Sequence, residues 1–212
     1  MPSRHGAAQV QALLVNVDRI SAFIGKVFAW CIVLLTGAIV YEVFARYLFR
    51  APTSWAFDVS YMLYGTLFMM AGAYTLSRQG HVRADFIYRL FPVKVQGGLD
   101  FVLYILFFFP GMMALVYFGW DFFNQSYWQN ERSSISPDGP YIWPFKFIIP
   151  FAGALMILQG LAETARAAIA WRSGAWPDRL HDVEELEVLT LKQAQAAREA
   201  EMAAARRAEM PL

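Results

Sequence analysis

The stretch "DVSYMLYGTLFMMAGAYTLSR", Asp58 to Arg78, places nineteen residues without a charge between its first and last positions. Coiled as a helix those residues span about 28 Å, close to the roughly 30 Å of a bilayer's hydrocarbon core. Apolar and polar residues do not alternate along it, so the pattern is that of a helix rather than a strand. Composition agrees. The 212 residues are 58% hydrophobic and 17% charged, with a mean hydropathy of +0.36, too apolar for an ordinary soluble domain. In lipid the backbone must satisfy its own hydrogen bonds, which leaves helices as the economical solution.

Three further runs read the same way. Phe101 to Trp120 is uncharged between Asp100 and Asp121, and Phe147 to Ala162 lies between Lys146 and Glu163, with Tyr141 to Phe145 as its entrance. Val27 to Tyr41 is uncharged and continues to Leu48 if Glu42 and Arg46 are tolerated. The expectation is an all-α integral membrane protein. It has an N-terminal amphipathic segment over 1–26, four transmembrane helices near 27–48, 57–77, 100–121 and 143–165 in a membrane domain over 27–171, and a cytoplasmic helical tail over 172–212. Pro110, in "FFFPGMM", is expected to kink the third helix because it removes a backbone donor.

Basic residues set the expected orientation. Arg4, Arg19 and Lys26 precede the first span, Arg78, Arg83, Arg89 and Lys94 lie between the second and third, and Arg166, Arg172 and Arg179 follow from the fourth. The loop from Asp121 to Tyr141 holds only Arg132. By the positive-inside rule both termini are expected in the cytoplasm. Trp55, Trp120, Trp128 and Trp143 fall at the outer ends of the spans, and Trp30, Trp171 and Trp176 near the inner ones, as interfacial belts do.

Neither end of the chain reads as a span. Val10, Leu13, Leu14, Val17, Ile20 and Ile24 recur at helical spacing, which predicts an amphipathic helix lying on the inner surface or feeding the first span. A cleaved signal peptide is the competing reading, and no small-residue cleavage site followed by a soluble domain supports it. After Pro177, Leu180, Val183, Leu186 and Leu189 recur three apart in an Ala-, Glu- and Arg-rich tail. That tail reads either as a solvated end or as a docking helix.

Charge at the edge of the apolar runs is the feature that needs explaining. Glu42 and Arg46 lie four apart with the acid first, the favourable order for a pair along one helix face. "FRAPTSW" then reads as a tight hairpin. Pro52 ends its extended entry, Trp55 marks the interface, and Asp58 sits in the first turn of the next helix, where the helix dipole favours a carboxylate. Arg46 or Arg50 could reach Asp58 across it. The alternative is an ion or proton site, since intramembrane charge is functional by default. In "SRQGHVRADFIYRLFP", His81 and Asp85 lie four apart and could share a hydrogen bond. Two ligands fall short of the three that a zinc site takes from the protein. Arg83 and Arg89 among Phe86, Ile87, Leu90 and Phe91 suit an interfacial connecting helix on an anionic leaflet.

Other classes find little support. Net charge is +1 with no basic run, so nucleic acid is not an expected partner. Cys31 is the single cysteine and reads as a small buried hydrophobe. His5, His81 and His181 all lie outside the spans, which argues against a haem-binding bundle. No Walker motif is present, so no ATPase chemistry is expected. The midplanes of the spans lack ionisable residues, unlike secondary carriers that act alone. No cofactor is expected. A self-sufficient small carrier or channel and a redox-enzyme subunit stay open as alternatives.

The ordered set Glu42, Arg46, Tyr47, Pro52, Trp55, Asp58, Gly72, "GHVRAD" with His81, Val82 and Asp85, and Pro92 resembles the small membrane subunit, DctQ-like, of tripartite ATP-independent periplasmic (TRAP) transporters. The likeness runs from Val27 to about Trp171. One departure is Phe57, where many relatives carry a second acid. The resemblance implies a bacterial inner-membrane protein that braces a large, sodium-driven membrane subunit, itself supplied with an organic anion by a periplasmic binding protein. It makes Glu42, Arg46, Pro52, Trp55, Asp58, His81 and Asp85 candidates for structural or partner contacts. The segment "SSISPDGPYIWPFKFIIPFAGALMILQG" further resembles a branch linked to 2-oxo acids, hydroxy acids and similar carboxylates.

Overall fold

The computed structural model describes residues 4–78, 88, 90–136, 139–177, 191–196 and 198. Among the described residues there is no strand, and a single bridge pair joins Arg132 to Tyr141. The described residues form, in order, the helices α1 (Arg4–Ala29), α2 (Cys31–Tyr47), α3 (Ala56–Ser77), α4 (Val93–Leu103), α5 (Phe109–Trp128) and α6 (Trp143–Ser173), with a π turn (Tyr104–Phe108) joining α4 to α5. Residues 191–196 of the tail are also helical.

Among the described residues three helical rods are long and apolar enough to cross a membrane: Gln9–Tyr47, Val93–Trp128 and Trp143–Ser173. The 22 residues of α3 rise about 33 Å, enough for a crossing. Tyr61, Tyr64, Gly65, Thr66, Gly72, Tyr74 and Thr75 dilute its apolar character, so α3 falls outside that group.

Side-chain contacts give the packing order. A Cβ placed on Gly25 of α1 would touch Tyr74 of α3, while Thr53, just before α3, bonds Glu42 of α2. Thus α3 runs back along the α1–α2 rod. The Tyr61 ring meets Phe145 edge-on at 5.9 Å, and Gly72 faces Met156, so α3 and α6 run in the same direction. Gly97 abuts the backbone at Ala167 to Trp171, Gly119 faces Ile149 and Pro150, and Gly160 faces Phe108, which makes the α4–α5 rod antiparallel to α6. In lipid, where apolar surface has no drive to leave its solvent, such small residues let backbones approach closely enough for dispersion to hold them.

The core lies between α1, α3 and α6. Met70, Ala73, Ala152 and Leu155 are buried there, with Ile24, Phe28, Phe151 and Met156 packed against them. The outer rods instead turn large side chains outward, Ile32, Leu34 and Phe44 on α2, Leu106 and Phe107 in the π turn, and Phe118 on α5. A surface of this kind suits lipid or another membrane subunit rather than water.

Two local features follow from single residues. Pro110 has no N–H to donate and its ring crowds the carbonyl four residues back. The helix accommodates it by widening just ahead of it: the Phe109 N–H reaches the Tyr104 carbonyl, five residues back. The local signature of Pro110 is thus a π turn in a rod that continues on both sides. At the end of α2, Ala51 donates its N–H to the Ala45 carbonyl at 2.9 Å. Arg50 takes φ 53 to allow it, the left-handed helix ending more often given to glycine.

The N-terminal helix keeps only part of its expected apolar face inside. Val10, Leu13 and Ile20 are exposed, Ile24 packs on the core, and the buried stripe is Leu14, Asp18, Ser21 and Ala22. The helix therefore turns polar groups inward beside some of its apolar ones. Its neighbours explain this, because α6 offers Gln159 and Arg166 to that stripe.

Candidate functional site

Polar side chains gather in two layers, one at the α2–α3 hairpin end of the bundle and one at the opposite end of α3 and α6. Along α6 the two are marked by Lys146 and Arg166, twenty residues or about 30 Å apart.

At the hairpin end, Glu42 uses both carboxylate oxygens. Arg46 donates to Oε1 from Nε at 2.9 Å and from its terminal nitrogen at 2.5 Å. The Thr53 N–H donates to Oε2 at 3.0 Å, and the Thr53 hydroxyl donates to the same oxygen. The Glu42 and Arg46 pair expected from their spacing is present. Its acid also holds the hairpin loop, which the spacing did not reveal. Trp55 stacks on Tyr41 at 5.8 Å, and Pro52 stays exposed in the turn.

Asp58 lies in the first turn of α3, as expected, and is fully buried. Neither Arg46 nor Arg50 is its hydrogen-bond partner. Its Oδ1 accepts from the Ser133 hydroxyl at 2.5 Å, so it ties α3 to the loop between α5 and α6. Its Oδ2 is buried without a hydrogen-bond partner among the described residues. The loop is itself stapled. Ser133 donates its N–H to Pro140 at 3.0 Å, Ile142 to Glu131 at 3.1 Å, and Glu131 pairs with Lys146. The Lys146 ammonium also sits 3.8 Å from the centroid of the Phe122 ring. Lys146's hydrogen bond and charge hold the Glu131 carboxyl below the usual glutamate range.

The second layer is drier. Arg166 donates two parallel hydrogen bonds to Asp18, at 3.0 and 2.6 Å, and a third to Glu163 at 2.5 Å. Gln159 donates to Asp18 at 2.8 Å and accepts from Ser21 at 2.8 Å. All five side chains are at most 2% exposed. A planar guanidinium matches a carboxylate at two points at once, which fixes both distance and rotation. The whole arrangement joins α1 to α6, 148 residues later in the chain.

Sequence reasoning singled out none of Asp18, Ser21, Gln159, Thr53 or Ser133 for a role. A signal existed for some of them. Gln159, Glu163 and Arg166 repeat at four and three residues on one face, and Asp18, Ser21 and Gly25 do the same on α1. His81 and Asp85 lie outside the described residues. Among the described residues no group of three or more His, Cys, Asp or Glu side chains could hold a metal ion. Chemically, the two layers present ion pairs and hydrogen bonds that join helices.

Apolar rods of this length, joined by small-residue contacts and tied by polar groups at two levels, define a helical integral membrane protein. A family model described as "Tripartite ATP-independent periplasmic transporters, DctQ component" matches residues 35–170, and the chain belongs to that family. It is the small permease component of a TRAP transporter. No curated protein matches the chain.

Proposed function

We propose that this chain acts as a brace for the large membrane subunit of its transporter, in sodium-driven uptake of an organic acid delivered by a periplasmic binding protein. It would do so from the bacterial inner membrane, as four spans with both termini in the cytoplasm. The carrying observation is how its buried charges are used. Asp18, Glu163 and Arg166 bind one another, Lys146 binds Glu131, and Asp58 binds Ser133. These contacts hold this chain's own helices, whereas a transported carboxylate needs convergent donors left for it in a cavity. Support for α3 as the fourth span comes from its direction, parallel to α6 and reversed against the α1–α2 rod. The carboxylate class of substrate rests on the likeness of residues 133–160 noted above.

The test has two arms. Co-expressed with the large membrane subunit, the chain should co-purify with it from detergent. Purified alone, it should give no saturable heat with 2-oxo acids, with or without sodium. Saturable, sodium-dependent binding by the isolated chain overturns the brace. For topology, a reporter active only in the periplasm should work when fused in the 121–140 loop and stay silent after Arg179. The opposite pattern overturns the orientation.

A further inference from the structure

The ion cluster between α1 and α6 crosses a boundary that the family match draws. Gln159, Glu163 and Arg166 lie inside residues 35–170, whereas Asp18 and Ser21 lie before them. We propose that the cluster is a register clasp that builds the N-terminal helix into the bundle, so that the membrane unit closes only when its first and last helices have met.

Three observations carry this. The contact is specific in direction, since both terminal nitrogens of Arg166 meet both oxygens of Asp18. A slide of α1 by one residue, about 1.5 Å, or a rotation of about 100° breaks that fork. The contact is also sealed, because Asp18 and Arg166 are both 0% exposed. Finally, the outward side of the last turns of α1 is apolar at Phe23 and Val27, beside the exposed Arg19 and Lys26. Undocking would therefore leave Asp18 without the guanidinium that now neutralises it. Pairing buried charges adds little net stability over apolar packing, but a single buried polar contact fixes register where apolar surfaces allow several. The carboxylates that face Arg166 are Asp18 from α1 and Glu163 from α6 itself, with Gln159 and Ser21 completing the shell. Two acids against one base make Arg166 the member whose loss harms most.

Hydrogen–deuterium exchange of the full chain in detergent tests the clasp, read over residues 9–25 and compared with α5. Asp18→Leu should speed exchange in α1 by at least about tenfold, as expected for a broken buried charge pair, and leave α5 unchanged. Arg166→Leu should do more. Reversing the pair, Asp18→Arg with Arg166→Asp, should restore most of the protection. Should Asp18→Leu yield no folded chain, Asp18→Asn removes the charge alone and reads the same way. Unchanged α1 exchange in the single variants, equal loosening of α1 and α5, or a reversed pair no better than the single variants each overturns the proposal.

Discussion

Gly97→Ala adds one methyl group where α4 and α6 touch through their backbones. The new Cβ would stand 2.6 Å from the Trp171 nitrogen and 2.8 Å from the Ala167 oxygen, where ordinary contact begins at 3.4 Å. No rotamer relieves this, because both neighbours are main chain. The two helices must part by up to about 0.8 Å, which is 3.4 less 2.6. Overpacking of this kind costs about 1–3 kcal/mol, and the gain of alanine over glycine in a helix offsets about 0.5–1 kcal/mol of it. The net loss, between about 0 and 2.5 kcal/mol and toward the upper end because the clash is with main chain on both sides, lowers the melting temperature by a few degrees, at about 2–4 °C per kcal/mol for a chain of this size. Gly111 supplies the control on the same rod. A Cβ there meets nothing within 4 Å, so Gly111→Ala keeps the propensity gain and should raise the melting temperature slightly. The assay is the fraction of chain still monodisperse in detergent after heating. A Gly97→Ala variant that melts at or above the parent would refute the close approach. An equal fall for Gly111→Ala would show that alanine is harmful in this rod for some reason other than packing.

Glu42→Ala should lower the melting temperature more than Arg46→Ala, because it releases Thr53 as well as a half-exposed arginine; equal effects would mean that the hairpin contact contributes nothing. Ser133→Ala deprives buried Asp58 of its hydroxyl donor and should cost about 1–3 kcal/mol, with Asp58→Asn milder and the double change less than the sum of the two. Glu131, whose folded pKa is depressed, contributes stability that is complete above the ordinary glutamate value near 4.3 and is lost as pH falls through the lower folded value. Acid should therefore loosen the 129–142 loop in the parent, while Glu131→Gln should be looser at neutral pH and less sensitive to acid, by exchange of the loop amides. A parent loop as insensitive to acid as that of the variant would remove Lys146 and Glu131 from the account.

How much was legible follows from what each signal measures. Apolar length identified the α4–α5 and α6 rods because span length is a property of one segment. The (i, i+4) rule found Glu42 and Arg46 for the same reason. Asp58 was placed correctly in its first turn but matched to the wrong partner. Arg46 and Arg50 were near in sequence, whereas Ser133 lies 75 residues away. For α1 the apolar spacing told part of the story: Leu14 is buried and Ile24 packs on the core, while Val10, Leu13 and Ile20 face outward. In water large apolar side chains mark the buried face; on a helix solvated by lipid they stand on both faces, and Asp18 with Ser21 marks the inside. The same exchange of solvent hides small-residue contacts such as Gly97 and Gly160, since nothing distinguishes them in sequence from the outward Gly37 and Gly111.

The placement of the two polar layers bears on mechanics. A helix pair held at one level can pivot about it, and in lipid the apolar surface between helices resists that motion weakly. A helix held at two levels about 30 Å apart keeps its tilt. In this chain α6 is tied at both levels, through Lys146 to Glu131 in the loop that precedes it and through Arg166 to Asp18 of α1. Meanwhile α2 and α5, at the flanks, turn apolar side chains outward. A central helix fixed at both ends with apolar flanks is consistent with the brace proposed above.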